Sequence, residues 1–290
     1  MNNSRYRNYV FDFKGAMSLF VGLIIGVIIL GIYISIYIFH ELTLTQILND
    51  KHLVDAKVQQ LSSSMFFVIL SYLCTVLFPI LGFDVLMMKS NGKKLNFSMQ
   101  SRPFHVYLLI FPMMFGMMMI SEFFVSLIPV KGKIFEDLYN SFSEALSSMS
   151  TDTVGIYILT VLFAPVLEEI LFRGIIQKGL INKGVKPMNA ILISAFTFGV
   201  FHLNPWQSVN AFLLGLVLGV VYFKTKSLLM PILLHAFNNF ISAYMLLNGN
   251  TESISENLHL PNYVGLIIGI LVFSLFYYIF MFKNNVYFRE

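Results

Sequence analysis

Glu168, Glu169 and Arg173 stand inside a run that is otherwise apolar, from Val154 to Leu167 before them and through Ile170, Phe172, Ile175 and Ile176 around them. A charge at bilayer depth costs about 2.5–3.5 kcal/mol on insertion scales, so such residues are expected to face a polar interior and to act there. On a helix Glu169 and Arg173 are four apart with the acid N-terminal, the favourable order for an ion pair. Glu168 points about 100° away and is left outside that pairing. One glutamate reads as structural and the other as available for chemistry. Two other apolar runs carry His202 and the pair His235 and Asn239. The spacing of four puts the imidazole of His235 and the carboxamide of Asn239 on one helix face, about 5–6 Å apart at Cβ, where both can reach one bound atom. A carboxylate, an imidazole and a carboxamide can serve as base, acid and donor to a developing oxyanion, and Glu168, His202 and His235 or Asn239 are residues of those types.

A single histidine in a span is more often an interhelical hydrogen-bonding residue than a catalyst. Two histidines, two adjacent glutamates and an asparagine on three runs weigh against accident, because each carries its own cost at bilayer depth. Serine or cysteine nucleophiles are not implied, since G-x-S-x-G is absent and the single cysteine, Cys74, lies in a distant apolar run.

The elements that must position these groups are membrane helices. The chain of 290 residues is 57% hydrophobic and only 12% charged, with a mean hydropathy of +0.75, far from the composition of a soluble globular protein. Apolar runs at 16–39, 65–88, 104–130, 153–181, 188–203, 209–223, 228–247 and 263–282 give an all-α polytopic membrane protein of about eight spans,. The whole of 1–290 is expected to be one integral membrane domain. The first run is too long for a signal-peptide core and is expected to be retained. The loops at 40–64 and 130–152 have room for short interfacial helices, and 137–149 has helical apolar spacing. Cys74 excludes disulfides within the chain. The net charge of +4 belongs to bases flanking the spans, so anionic lipid is the expected partner and nucleic acid is not.

An eight-span path sorts the bases sharply. Of the 19 lysines and arginines, all but Lys51, Lys57, Lys131 and Lys133 fall on one side, together with both termini. The other side also carries Asp50, Asp55, Glu136, Asp137, Glu252 and Glu256. Both termini are therefore expected in the cytoplasm. Counting about 1.5 Å per residue from the basic ends places Glu168, His235 and Asn239 near the midplane or in the cytoplasmic half. His202 comes out deeper, about 22 Å from Pro187, which calls for a tilt, a short helix or a cavity.

Three motifs now stand in order: E-E-x-x-x-R at Glu168, Glu169 and Arg173; F-x-x-x-H at Phe198 and His202; H-x-x-x-N at His235 and Asn239. With them the sequence resembles the CPBP family of intramembrane proteases, which includes the type II CAAX prenyl endopeptidases and the Abi, or bacteriocin self-immunity, proteins. The resemblance covers about 150–245 and implies an endopeptidase active site inside the bundle. It implies that Glu168 with His202 activates water, that His235 and Asn239 stabilise the oxyanion, and that Glu169 and Arg173 hold the site together. The implied substrate is a membrane-associated peptide or protein, of CAAX or peptide-maturation type, in the cell membrane.

A zinc or other divalent metal held by Glu168, His202 and His235 is the alternative to a metal-free glutamate mechanism. The latter is preferred because H-E-x-x-H is absent and the residue four after His235 is an asparagine, a poor zinc ligand. Two non-proteolytic functions also stay open: an immunity or regulatory protein of the same fold, and a proton-coupled transporter, for which buried Glu and His are also expected. The sequence gives no oligomeric state. Asp84 and Glu122, near span ends without an evident partner, are expected to be placed by snorkelling or at helix ends, and Gly215 and Gly219 by close helix packing.

Overall fold

In hydrocarbon every backbone N–H and C=O must be bonded within the chain, so long apolar runs become helices. The computed structural model describes residues 9–132, 135–149, 152–249 and 253–283, and every regular element among them is a helix. In chain order these are α1 (Phe13–Glu41), α2 (Leu44–Asn49), α3 (Lys51–Ser62) and α4 (Met65–Asn91). Then come α5 (Phe104–Ser126), α6 (Phe135–Met149), α7 (Thr153–Lys183) and α8 (Pro187–Phe201). The last four are α9 (Pro205–Thr225), α10 (Leu229–Gly249), α11 (Ile254–Asn257) and α12 (Asn262–Lys283).

Seven of these, α1, α4, α5, α7, α9, α10 and α12, are long and apolar enough to cross a membrane. The chain is an all-α polytopic membrane protein. The fifth expected run, 188–203, forms α8, which has only 15 residues and is capped by His202. At about 1.5 Å per residue it spans about 22 Å, shorter than a hydrocarbon core of about 30 Å.

The chain divides into a first unit, residues 1–95, and a second, residues 96–290. In the first unit α1 and α4 meet backbone to backbone. A Cβ on Gly22 would fall 2.3 Å from the Phe78 carbonyl oxygen, and one on Gly26 would fall 1.9 Å from that of Cys74. Small residues at this spacing let helices approach without side chains between them. Cys74 is buried at that contact. Asp84 is not left to snorkel: its carboxylate pairs with Lys89 Nζ at 3.0 Å. The short helices α2 and α3 occupy the 40–64 loop, α2 opened by a capping box between Thr43 and Gln46,. Arg5, Arg7, Lys133, Glu252 and Arg289 lie outside the described residues.

The second unit holds all the candidate site residues. α5 and α12 touch through Gly116 and Gly269, and α8 and α9 form an antiparallel hairpin. An extended strap, residues 96–103, is tied to the link between α9 and α10. Leu228 N–H donates to the Ser98 carbonyl at 2.7 Å, Ser227 Oγ donates to the Gln100 carbonyl at 2.6 Å, and Arg102 donates to the Thr225 carbonyl. Phe97 of the strap lies on Gly174 of α7, where a Cβ would come within 2.7 Å of the ring. The same ring packs with Val166, Ile170, Tyr222, Leu228 and Ile232.

Candidate active site

The helix that carries the glutamates is not uniformly α. Two wide π turns, Ile158–Phe163 and Ile170–Gln177, bracket the α-helical turn that ends in Glu168 and Glu169. In the first of them Ala164 N–H donates to the Leu159 carbonyl, five residues back. In that register the donor for the Thr160 carbonyl would be Pro165, which has no N–H. The missing donor comes from another helix: Asn239 Nδ2 donates to the Thr160 carbonyl at 2.7 Å. Asn238 Nδ2 in turn donates to Asn239 Oδ1 at 2.9 Å. Thus Asn239 couples α10 to α7 one turn beyond His235.

Glu168 and Glu169 are both buried, at 5% and 0% exposure, as is Arg173 at 0%. Arg173 Nη1 donates to Glu169 Oε1 at 2.8 Å, Nη2 donates to the Gly215 carbonyl at 3.1 Å, and the guanidinium lies 4.7 Å from the centre of the Phe198 ring. Gly215 is required for this fit, because a Cβ there would press to 3.2 Å on both Arg173 Nη2 and Ala195. His235 stands between the carboxylates, with Nδ1 3.0 Å from Glu169 Oε1 and Nε2 3.6 Å from Glu168 Oε2. Glu168 Oε2 and His235 Nε2 thus face one another, a carboxylate beside a ring nitrogen that Glu169 orients from the other side.

His202 follows the last turn of α8, and its Nδ1 lies 2.9 Å from the Phe198 carbonyl oxygen. Phe198 has both histidines edge-on, with ring centroids 5.1 Å from His202 and 5.5 Å from His235. The next residue, Leu203, has φ of 57°, a left-handed conformation that a branched side chain rarely adopts. Asn204 then caps α9, its Oδ1 accepting from Gln207 N–H at 2.9 Å. His202 therefore sits in a tight, strained reversal between two packed helices.

The structure brings Glu168, Glu169, Arg173 and His235 into one contact group and joins His202 and Asn239 to it through Phe198 and α10. Among the described residues no group of three or more His, Cys, Asp or Glu is arranged to hold a metal ion. The putting of a buried guanidinium onto Glu169 also supplies the positive charge that a metal would bring.

Several partners were invisible in the sequence. The carbonyls of Thr160 and Gly215 are backbone atoms without a sequence signature. Phe97 lies outside every motif. Glu122 holds the start of α11, accepting from the N–H of Ile254 and of Ser255 and from the Ser255 hydroxyl, across more than 130 residues of chain. Of the two expected placements, the one near a helix end holds and snorkelling does not: the carboxylate is kept in place by donors that only the fold brings near.

Residues 150–241 match the family model described as type II CAAX prenyl endopeptidase, Rce1-like. The matched segment runs from just before α7 into α10 and contains every residue of the contact group. This segment is similar to that protease family, in agreement with the CPBP resemblance. A search of curated proteins and one of solved structures found no match.

Proposed function

We propose that this protein is an intramembrane endopeptidase that cleaves a peptide bond of a membrane-associated peptide or protein with water activated by Glu168. The observation that carries the proposal is the buried Glu168 facing Nε2 of a histidine whose Nδ1 is held by Glu169, within the segment that matches a protease family. Glu168 takes a proton from water as the hydroxide oxygen bonds to the scissile carbonyl carbon. His235, oriented by Glu169, and Asn239 donate to the oxyanion. The C–N bond then breaks as the proton passes to the leaving amine, by way of Glu168 or His202, and the site returns to its starting charge. Glu169 and Arg173 are positioning residues: they fix His235 and supply the balancing cation.

The reaction needs no metal in this proposal. The substrate class is a CAAX-type or peptide-maturation substrate in the cell membrane, and both termini of the protease face the cytoplasm, with the short α8 counted as an eighth crossing. The test uses purified protein and a farnesylated peptide ending in a CAAX sequence, with products read by mass. Turnover is expected to persist in excess chelator. General acid–base groups contribute about 10²–10⁴-fold, so Glu168→Gln is expected to fall by at least about 10²-fold. Full activity of Glu168→Gln, or loss of parent activity on chelation with recovery on adding zinc, would overturn the proposal.

A further inference from the structure

A cavity of about 550 Å³ opens between α5, α9, α10 and the segment 253–262, at the opposite ends of these helices from the strap. Its volume is in the range of about 300–1,000 Å³ typical of pockets that bind small ligands. The wall is mixed: Glu122, Glu256, Asn210 and Asn238 provide polar groups, and Trp206 and Phe142 provide an aromatic side. None of its lining residues is a lysine or arginine. The neighbouring helix α6, which adds Phe142 to the wall, carries Glu136, Asp137 and Glu144 and no basic residue. Trp206 is only 6% exposed, and its indole N–H has no acceptor among the described residues. It is held by Tyr139 and Phe142, whose rings lie 5.1 and 6.3 Å away. A buried donor without an acceptor carries a cost that an occupant with a carbonyl oxygen would remove. Asn210 Oδ1 accepts from Ser121 Oγ at 2.6 Å, and its amide hydrogens can serve the same purpose.

The wall is also joined to the candidate active site. Asn238 donates to Asn239, and Gln207 accepts from Asn204 Nδ2 at 2.7 Å, beside His202. We infer that this cavity binds a short peptide segment carrying a lysine or arginine, its carbonyls meeting Trp206 and Asn210 and its cation meeting Glu122, Glu256 and the aromatic face. Cation–π attraction to a tryptophan adds to such binding. A phospholipid phosphate is disfavoured by the two carboxylates. That the segment belongs to a substrate rests on the proposed proteolytic function; its binding does not.

Trp206 is the sole tryptophan of the chain, so its emission reports the cavity directly. The full-length protein with Glu168→Gln, in phosphatidylcholine nanodiscs, is titrated with a blocked lysine-containing tetrapeptide and with its glutamate counterpart. A saturable change is expected with the lysine peptide and none with the glutamate peptide. Adding Glu256→Gln and Asn210→Leu is expected to raise the apparent Kd about tenfold. Equal responses to both peptides, no response, or an unchanged Kd would overturn the inference, as would an equal response to ethanolamine phospholipid in place of peptide. If the double variant does not fold, Glu256→Gln alone, at an exposed position, must still raise the Kd. Binding without cleavage of the lysine peptide or of longer peptides containing it by the parent leaves the cavity intact and counts against the proteolytic function; cleavage without a Trp206 response does the reverse.

Discussion

Arg173 is fully buried, and its charge is tolerated only because Glu169, the Gly215 carbonyl and the Phe198 face surround it. Breaking a buried pair by removing one partner costs about 3–5 kcal/mol, since the other charge is left alone. Arg173→Ala is therefore expected to lower the unfolding temperature in detergent strongly. The double change Glu169→Gln with Arg173→Met is expected to recover part of the loss, while Glu168→Gln stays near the parent. Thermal unfolding of the four proteins in one detergent decides, and a least stable Glu168→Gln would exchange the roles of the two glutamates. The spacing of Glu169 and Arg173 was legible in the sequence because a helix repeats locally. The contacts of His235 with both glutamates were not, because 66 residues separate it from Glu169 and no local rule spans that distance. The same reason hid the anchoring of α11 by Glu122.

The elements were largely legible too, since hydropathy over about 20 residues finds spans without knowing their neighbours. What hydropathy misses is their interruption. The shortness of α8 was already visible in the run 188–203, but the two π turns of α7 leave the apolar count unchanged, although Pro165 marks a place where the backbone ladder must break,. Asn239 mends that break. A carbonyl stranded in a dry interior costs about 1–3 kcal/mol, so Asn239→Ala is expected to destabilise by about that much. In a Pro165→Ala background the backbone regains an N–H, and the cost of Asn239→Ala is expected to fall by about half or more. Equal costs in both backgrounds, measured by thermal unfolding, would show that Asn239 does not serve the α7 ladder. Catalysis separates from structure in the same proteins: loss of an oxyanion donor lowers turnover about 10²–10³-fold, whatever the background.

For the whole molecule, the sorting of basic residues predicts one cytoplasmic face that includes the loops at 89–103 and 183–187. With Cys74 replaced by alanine, Lys93→Cys and Lys183→Cys, both at exposed positions, are expected to resist an impermeant thiol label on intact cells. Lys131→Cys, exposed in the loop before α6, is expected to react. Labelling of Lys93→Cys and Lys183→Cys with protection of Lys131→Cys would invert the protein in its membrane. The orientation matters to function, since it decides on which side the cavity beside Trp206 opens and from which side the product leaves.

Hydrolysis of peptide bonds within the membrane by Glu168-activated water leaves its trace in cells that contain the natural substrates. Membranes from cells making the parent protein, the Glu168→Gln variant or neither are extracted, and their peptides are compared by mass spectrometry. Peptides with new termini are expected in the parent membranes alone, with uncut precursors accumulating equally in the other two. The same cleaved peptides at the same level with Glu168→Gln would contradict it.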